Sequence, residues 1–457
     1  MPVTDKSNIP LPDRPLPDRP LPDRPLADRM LALWDHLGLR RAHVATQVPA
    51  DIAGLVATHP DRIGGLVLCA PARLDPAGFT SVSKRLLMIA GSVGLTADLA
   101  QRAVSRLTGA TRVTLEGYEA PGWADVVADR TDAIVGALHD FLPAQAATTL
   151  HGPARAGLHA GISYRIEGSG PALVLLPFFL APSQWEPAIA RLARDFTVIV
   201  LGGRHLGGIA ALEDRARAES YRAMVRNLLH GIAPSLGQSI LDVGCGSGAL
   251  DRLLVRSVAA GCTITATDLN PFLLREAASL AAEDGLADVI RFEAANAENL
   301  PFDDASFDHA FTITVLEECD ADRALAELYR VVQPGGRVGV IVRAIDLPQW
   351  WHLDLPDALR KKAEIPPQSV GPRGVADASL YRRMRDAGFT ELACSPTLVT
   401  FDQPGGPIWR YREDHILSLL SPEETAIWRQ AADAARASGL LFMANPLHCV
   451  VGTKPKA

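Results

Sequence analysis

The chain has 457 residues, which is enough for about three domains of ordinary size. Apolar residues make up 48% and charged residues 21%, an ordinary globular composition that excludes wholesale disorder. The net charge of −7 provides no general basic surface for nucleic acid. No apolar run approaches the ~18 residues of a membrane-spanning helix, and the first residues carry no signal-peptide pattern. We therefore expect a cytoplasmic protein that binds neither nucleic acid nor membrane.

The six cysteines are scattered along the chain. None forms a C-x-x-C pair, and no cluster of cysteine and histidine has the spacing of a metal site. We expect buried, reduced thiols and no bound metal.

A proline-rich repeat opens the chain. Leu11 to Pro25 consists of three copies of Leu-Pro-Asp-Arg-Pro, and a decayed fourth copy follows. Proline at this density blocks both helix and sheet, so residues 1–25 are predicted to be a flexible tail with polyproline-II character. A ligand for a proline-binding module is the alternative interpretation.

Helical and strand patterns alternate after the tail. The predicted elements are a helix over Asp28–Leu39, a strand over Ala42–Ala45, a helix over Asp51–Thr58, strands over Gly65–Cys69, Arg85–Ala90 and Thr111–Leu115, and a helix over Asp129–Phe141. This alternation predicts a parallel sheet with helices on both faces.

A linker over residues 144–157 separates this part from a second, shorter α/β segment. That segment has predicted strands at Ile162–Ile166, Ala172–Leu176 and Thr197–Leu201 and a helix at Trp185–Ala193. A helical stretch over Ala210–Ile232 then leads into residues 233–342, where strands and helices alternate again. A mixed segment completes the chain.

The first two segments resemble the two halves of an α/β-hydrolase in swapped order. Residues 26–143 resemble the C-terminal half through "LWDHLGLRRAHV", "THPDRIGGLVLCAP" and "RLLMIAG". Residues 160–206 resemble the N-terminal half through "ISYRIEGSGPALVLLPFFLAPSQWEPAIARLARDF". A circular permutation within one chain or complementation between two chains would rebuild the sheet, and the sequence leaves both open.

The catalytic groups of a hydrolase are missing from the matching positions. The nucleophile elbow needs G-x-S-x-G, yet the chain has Val44-Ala45-Thr46-Gln47-Val48. The acid position falls at Gly94, the oxyanion loop reads Pro177-Phe178, and alignment on Trp123 places the histidine position at Glu119 or Ala120. We expect a degenerate domain without hydrolase activity, because a threonine without a base is a poor nucleophile.

A glycine-rich loop stands out in the C-terminal part. In "SILDVGCGSGALDRLLV" an apolar strand ends at Asp242, three glycines follow at positions 244, 246 and 248, and a helix begins near Ala249. Glycines are needed where the backbone turns tightly against a ligand, although the looser pattern G-x-G-x-x-[GA] also fits dinucleotide binding.

The context of the loop distinguishes these readings. A second strand ends at Asp268, a third runs into "ANAENLPFDDASFD", and a fourth precedes "VLEECDADRALAELYRVVQPGGRVGVIV". A carboxylate after the second strand can accept hydrogen bonds from ribose hydroxyls. These pieces in this order resemble the class I S-adenosylmethionine (SAM)-dependent methyltransferases, particularly their small-molecule branch, over about residues 218–345.

The resemblance implies a Rossmann-like sheet and a set of residue roles. Asp242, Gly244, Cys245, Gly246 and Gly248 would form the loop that binds SAM. Asp268 would bind the ribose and Leu269 would pack on the adenine, Asn296 and Ala297 would flank the adenine, and Thr314 would lie near the methionine moiety. The family usually has Asp at the position of Asn296, and an amide can still donate and accept there.

Groups for the methyl acceptor are less clear from the sequence. His352, in "IDLPQWWHLDLP", is a candidate general base, and Glu318 is a weaker one. The segments "IWRYREDH" and "FMANPLHCVVGTKP" would cover the acceptor pocket by analogy with the family.

We therefore predict three regions: the tail over 1–25, a degenerate hydrolase-like domain over 26–208, and a methyltransferase domain over 209–457. The expected activity is methyl transfer (EC 2.1.1.-) from SAM to O, N or C of a small molecule, with a homodimer left open. A SAM-binding scaffold without transfer activity and, more remotely, a hydrolase are the alternatives.

Overall fold

A computed structural model describes residues 24–119, 125–153, 155–255, 261–402 and 404–456. Most of the predicted tail, together with Ala120 and Trp123, lies outside these residues. The chain forms two compact units. The first unit comprises 24–214 and Gly405–Arg429, and the second comprises Arg215–Pro404 and Gln430–Ala457.

The elements of the first half of the chain alternate as the sequence pattern predicts. In chain order they are α1 Leu26–Leu37, β1 Ala42–Thr46, α2 Ala50–Thr58, β2 Ile63–Cys69, β3 Leu86–Val93, α3 Leu95–Arg106, β4 Thr111–Glu119, α4 Val126–Asp129, α5 Thr131–Phe141, β5 Thr149–Leu150, β6 Arg155–His159, β7 Ile162–Glu167, β8 Gly170–Leu175, α6 Glu186–Leu192, β9 Thr197–Gly202 and α7 Gly207–Arg217.

The second half continues this alternation and ends in a long strand. Its elements are α8 Glu219–Ile232, β10 Ser239–Val243, α9 Ala249–Leu254, β11 Thr263–Asp268, α10 Pro271–Glu283, β12 Ile290–Ala294, β13 Phe307–Ile313, α11 Ala321–Val331, β14 Val332–Arg343, β15 Trp350–Trp351, α12 Asp357–Ala363, α13 Ser379–Asp386, β16 Thr390–Cys394, β17 Thr397–Phe401, α14 Pro407–Leu419, α15 Pro422–Ala437 and β18 Met443–Thr453.

The first unit is built on one sheet that both sequence segments share. The strand order is β4-β3-β2-β1-β8-β9-β7-β6, with β5 beside β8. Strand β1 pairs in parallel with β8 through His43 and Leu173, so the segments before and after residues 144–157 complete one sheet within a single chain. Buried apolar side chains form a core on each face of this sheet.

The sheet of the first unit is mixed, which corrects the prediction of a purely parallel sheet. Strands β6 and β7 form an antiparallel hairpin, and β7 pairs antiparallel with β9. The hairpin turns at Ala160 and Gly161, whose φ angles of 49° and 71° fit the two-residue turn that matches strand twist. Because β5 and the start of β6 lie within 144–157, that stretch is not simply a linker.

The second unit has its own sheet, with the order β12-β11-β10-β13-β14-β18-β15. Strands β10 to β14 are parallel, whereas β18 runs antiparallel to β14 and also pairs with β16 and β17. From β10 the chain continues to β11 and β12 on one side, and from β13 it continues to β14 on the other side. The strand order therefore reverses between β10 and β13. Such a switch point opens a crevice at the carboxyl ends of the strands.

The segment Gly405–Arg429 belongs to the first unit, whereas the sequence placed it in a methyltransferase domain over 209–457 as a cover for the acceptor. The amide of Ile408 donates to the carboxylate of Asp214, and Tyr411 stacks on Phe179. Two buried tryptophans, Trp409 and Trp428, donate their indole N–H groups to the two oxygens of Glu413. These contacts are made to side chains of the first unit.

Among the described residues, no helix combines the length and the apolar character needed to cross a membrane.

Candidate functional site

The glycine loop after β10 has the backbone that its sequence predicts. Gly244, Gly246 and Gly248 have φ angles of 85°, 59° and 67°, a region that favours glycine. A Cβ on Gly244 would lie 2.1 Å from Cγ2 of Val315, and one on Gly248 would lie 3.1 Å from the ring of Phe292. Gly244 is thus required by space as well as by conformation, whereas a side chain at Gly248 would need the ring of Phe292 to shift by a few tenths of an ångström.

The neighbouring strand β11 holds this loop through hydrogen bonds. The amides of Gly244 and Cys245 both donate to the carbonyl oxygen of Thr267, at 2.7 and 2.8 Å. The amide of Gly246 donates to Oδ2 of Asp268 at 3.0 Å, and the amide of Asn270 donates to Oδ1. Burial raises the pKa of Asp268, and these backbone donors oppose that rise. Asp268 therefore joins the loop to the start of α10.

A buried pair of carboxyl groups lies at the end of β10. Asp242 is almost fully buried, and the buried carboxyl group of Asp251, on α9, lies close enough to influence its pKa. Burial raises the pKa of both groups, that of Asp251 to about 7, and the nearby carboxyl groups of Asp251 and Asp268 further raise the pKa of Asp242. The sequence analysis missed Asp251, although an acidic residue within "ALDRLL" after the glycine loop was a usable signal.

The residues expected around an adenine lie on the two following strand ends. Leu269, next to Asp268, is 69% exposed. Asn296 is exposed, and its Oδ1 accepts the amide N–H of Glu298, which leaves the amide NH₂ to face a ligand. Ala297 packs against the core below.

Strand β13 ends in a strained residue. Thr314 has a φ of 57°, and a β-branched residue rarely adopts this region. Its amide donates to Ile341, and Nη1 of Arg215 lies 3.5 Å from its Oγ1. Strain of this kind concentrates at functional sites, so the backbone conformation is consistent with a functional role for Thr314.

Glu317 is a second residue that the sequence analysis missed. Its side chain is fully buried, Oε1 accepts the amide N–H of Arg343 at 2.7 Å, and burial raises its pKa to about 7. The adjacent Glu318, which was the sequence-based candidate, instead lies near the surface and pairs with the guanidinium of Arg343 at 3.2 Å. Its pKa is also raised by burial.

His352 follows the short strand β15 at one edge of the sheet. Its Nδ1–H donates to the carbonyl oxygen of Leu440 at 2.7 Å, and its ring stacks on Phe442 with centroids 4.9 Å apart. This hydrogen bond leaves Nε2 as the basic nitrogen. In the order of the sheet, β13, β14 and β18 separate β15 from β10. The structure thus brings the loop, Asp268 and Thr314 to neighbouring strand ends, whereas His352 lies on a different strand.

Thr46, at the position that the sequence compared with a nucleophile elbow, is buried and hydrogen-bonded. Thr46 is fully buried, and its hydroxyl accepts the amide N–H of Val48 and donates to the carbonyl oxygen of the same residue. Oε1 of Gln47 accepts the amide N–H of Phe179 at 2.8 Å. The amide N–H of Phe179, which follows β8, is therefore already engaged by the side chain of Gln47 at the end of β1.

Comparison with known proteins finds a family match over the parallel strands of the second unit. Residues 241–340 match a family model described as "Methyltransferase domain". This match implies S-adenosyl-L-methionine as the cofactor of the domain. The exposed Leu269 and the close approach of backbone at Gly244 fit such a group.

The chain is similar to several curated enzymes over part of its length. It is 34% identical over 173 residues to an O-methyltransferase, resE, of Aspergillus sclerotiorum, covering 37% of this chain and 61% of that protein. It is 37% identical over 130 residues to the ubiquinone/menaquinone biosynthesis C-methyltransferase UbiE of Brucella anthropi, covering 28% of this chain and 49% of that protein. The chain thus spans about half to three fifths of these relatives.

A solved structure of geranyl diphosphate methyltransferase in complex with SAM is 20% identical. The alignment covers 53% of this chain and 90% of that chain, with a TM-score of 0.33.

Proposed function

We propose that the protein transfers a methyl group from SAM to a small-molecule acceptor. The observation that carries this proposal is the loop over 244–248, which is held against β11 by Thr267 and Asp268 and closed to any side chain at Gly244. Backbone that must approach closely, beside an acidic strand end, is what a nucleoside ligand requires. The match of residues 241–340 to a methyltransferase domain supports the same reaction.

In this proposal, different residues around the loop bind different parts of the cofactor. The loop formed by Asp242, Gly244, Cys245, Gly246 and Gly248 cradles the cofactor, and Asp268 accepts hydrogen bonds from the ribose. Leu269 covers one face of the adenine, Asn296 and Ala297 flank it, and Thr314 lies beside the methionine moiety. SAM supplies an activated methyl group when bound, so the protein contributes mainly position and orientation.

The acceptor is held in the same unit, and we propose His352 as the group that removes its proton. The hydrogen bond from Nδ1–H to Leu440 orients the ring and keeps Nε2 basic. Glu318 is the second candidate: burial raises its pKa, and its ion pair with Arg343 opposes that rise. Replacing His352 by Gln should lower kcat and flatten the acidic limb of its pH profile. An unchanged profile would exclude His352 as the base.

The first unit is proposed to be an α/β-hydrolase-like domain that has lost its catalytic activity. Its strand order, with the hairpin β6–β7 at one edge and the halves joined at β1 and β8, supports this resemblance. The hydrogen bond from Val48 to the hydroxyl of Thr46 and the hydrogen bond from Phe179 to Gln47 support the loss of hydrolase activity. Aryl ester hydrolysis should therefore be undetectable, and a rate that Thr46→Ala abolishes would contradict this.

The experiment that tests the main proposal is calorimetric titration of the full chain with SAM and S-adenosylhomocysteine. Asp268→Asn should weaken binding by about tenfold or more, because it removes charge-assisted hydrogen bonds. Asp303→Asn, at an exposed position, is the matched control and should bind as the parent does. Thermal unfolding of both variants separates loss of binding from loss of fold, since Asp268 also holds the loop.

Transfer itself is measured with methyl-labelled SAM over a panel of phenols, quinols and carboxylic acids. Labelled product, lost in Asp268→Asn, is the expected result. Binding without transfer to any acceptor would favour a SAM-binding scaffold, and absence of binding would overturn the proposal. A cytoplasmic location and a homodimer remain predictions, which fractionation and light scattering test.

A further inference from the structure

A pocket opens in the first unit that the methyl-transfer proposal does not use. The space between its walls is about 550 Å³, counting the part that is open to solvent. Its walls come from the loops that follow β1, β2, β8 and β9 and from α14. Apolar parts of Val48, Pro49, Phe179, Ala211 and Pro407 supply much of the lining.

The position of this pocket in the sheet favours ligand binding. Strands β1 and β8 are neighbours, the chain proceeds from β1 towards β2, and it proceeds from β8 towards β9 on the other side. The strand order therefore reverses between β1 and β8. In open α/β sheets, ligands bind in the crevice beyond the carboxyl ends of the strands at such a point.

Two arginines in the pocket form no ion pair at contact distance within the described residues. The guanidinium of Arg73 lies 3.6 Å from the ring centroid of Tyr411, and its buried Nε has no hydrogen-bond partner. Stacking on a ring leaves the N–H groups in the guanidinium plane available for an anion. Arg410 is half-buried, and its side chain also makes no hydrogen bond or ion pair with the described residues.

Two carboxyl groups share the same pocket, at Asp51 and Asp414. Asp51 accepts the amide N–H of Gly207 at 2.7 Å, whereas Asp414 accepts no hydrogen bond from the described residues. Burial raises the pKa of Asp51 to about 6 and that of Asp414 to about 7, although the nearby arginines oppose the rise. Near neutral pH, Asp414 is therefore protonated in a substantial fraction of molecules and can donate as well as accept.

We propose that this pocket binds a small organic carboxylate, whose anionic group is held by Arg73 and Arg410 while its apolar body lies against Val48, Pro49 and Phe179. A planar carboxylate fits the fork of a guanidinium, and a monoanion is compatible with two neighbouring carboxyl groups. A phosphate dianion would be repelled more strongly by them. The site is separate from the proposed methyl transfer and does not depend on it.

Binding of such an anion should be linked to proton uptake. The groups that face Asp414 are Asp75, Glu413, Asp51, Arg73, Arg410 and His415, and burial keeps His415 neutral by lowering its pKa to about 4. A carboxylate placed beside Asp414 raises the pKa of that group further. Affinity should therefore fall as the pH rises from about 6 to about 8, because ionised Asp414 repels the ligand.

The test uses the full chain and a panel of aryl and alkyl carboxylates, each matched with its primary amide and with the corresponding phosphate monoester. Ligand-observed NMR identifies binders, and calorimetry in two buffers of different ionisation enthalpy counts protons. We expect carboxylates to bind at least tenfold more tightly than their amides, with proton uptake, and phosphates to bind no more tightly than carboxylates. Equal binding of amides, tighter binding of phosphates or no binding by any carboxylate would overturn the proposal.

Variants assign the binding to the pocket. Arg410→Met and Arg73→Met should each weaken carboxylate binding about tenfold or more. Arg102→Met removes one positive charge from an exposed position in the same unit and should leave binding unchanged. Arg410→Lys keeps the positive charge but not the fork of the guanidinium, so it should bind carboxylates with intermediate affinity. This variant tests the proposal if the methionine variants fold poorly. Equal weakening by Arg102→Met would attribute the effect to net charge and exclude the pocket.

Discussion

Gly244 is the residue at which local geometry is most demanding. Its positive φ costs any other residue about 1–2 kcal/mol, and a Cβ would lie 2.1 Å from Val315. We expect Gly244→Ala to lower the free energy of unfolding of the second unit by about 2–5 kcal/mol, since overpacking adds about 1–3 kcal/mol. SAM affinity should fall with it. Urea unfolding and calorimetry measure the two effects.

Gly285 provides the matched control for this substitution. Its φ is 72°, close to that of Gly244, but a Cβ there would meet nothing within 4 Å. Gly285→Ala should therefore incur only the conformational cost and leave SAM affinity unchanged. If both variants behave alike, close approach at Gly244 is unimportant.

Residue types alone were sufficient to predict the turn of the glycine loop over residues 244–248, but not the buried groups around it. The three glycines, Asp242 and Asp268 were predicted because chain order places them at successive strand ends. Asp251 and Glu317 were missed because what distinguishes them is that their carboxyl groups are buried. A sequence does not show whether a carboxylate in a short helix or a turn is buried or exposed to solvent.

At the scale of elements, the contact between β10 and α9 brings two carboxyl groups together. The pKa of Asp251 is raised from its ordinary value of 3.8 to about 7, so the folded state holds a proton that the unfolded state releases. This contribution to stability is complete below pH 4 and is lost as the pH rises towards 7. Asp251→Asn should gain stability relative to the parent over this range, by more than about 1 kcal/mol at pH 7.

Denaturant unfolding at half-unit pH steps measures that difference. Asp303→Asn, on the surface of the same unit, should show no such trend. A difference between Asp251→Asn and the parent that stays constant with pH would mean that the buried pair does not hold the proton.

Pattern predicted most helices and strands of both halves, including β7, yet it missed β6, the strand that forms a hairpin with β7. The turn residues Ala160 and Gly161 lack the Asn-Gly signature of a tight hairpin, and β6 is largely exposed, so no apolar alternation marks it. It was therefore assigned to a linker.

At the scale of the whole molecule, the segment Gly405–Arg429 returns to a unit that begins near the N-terminus. Trp428 is fully buried there and donates to Glu413. Trp428→Ala should destabilise the first unit by about 3–5 kcal/mol, as expected for a large buried aromatic residue. Hydrogen exchange should speed up in β1 and β2. If protection is lost in β10 and β13 instead, the assignment of this segment to the first unit is wrong.

The sequence by itself determined the alternation of strands and helices and the tight turn of the glycine loop after β10, because these depend on residue types at short spacings. Only the tertiary structure decided that the two swapped segments form one sheet within one chain, and that residues 405–429 line a pocket beside Arg73. The physical reason is that β1 and β8 meet across more than a hundred residues. Pairing and burial over such distances depend on packing that local pattern does not encode.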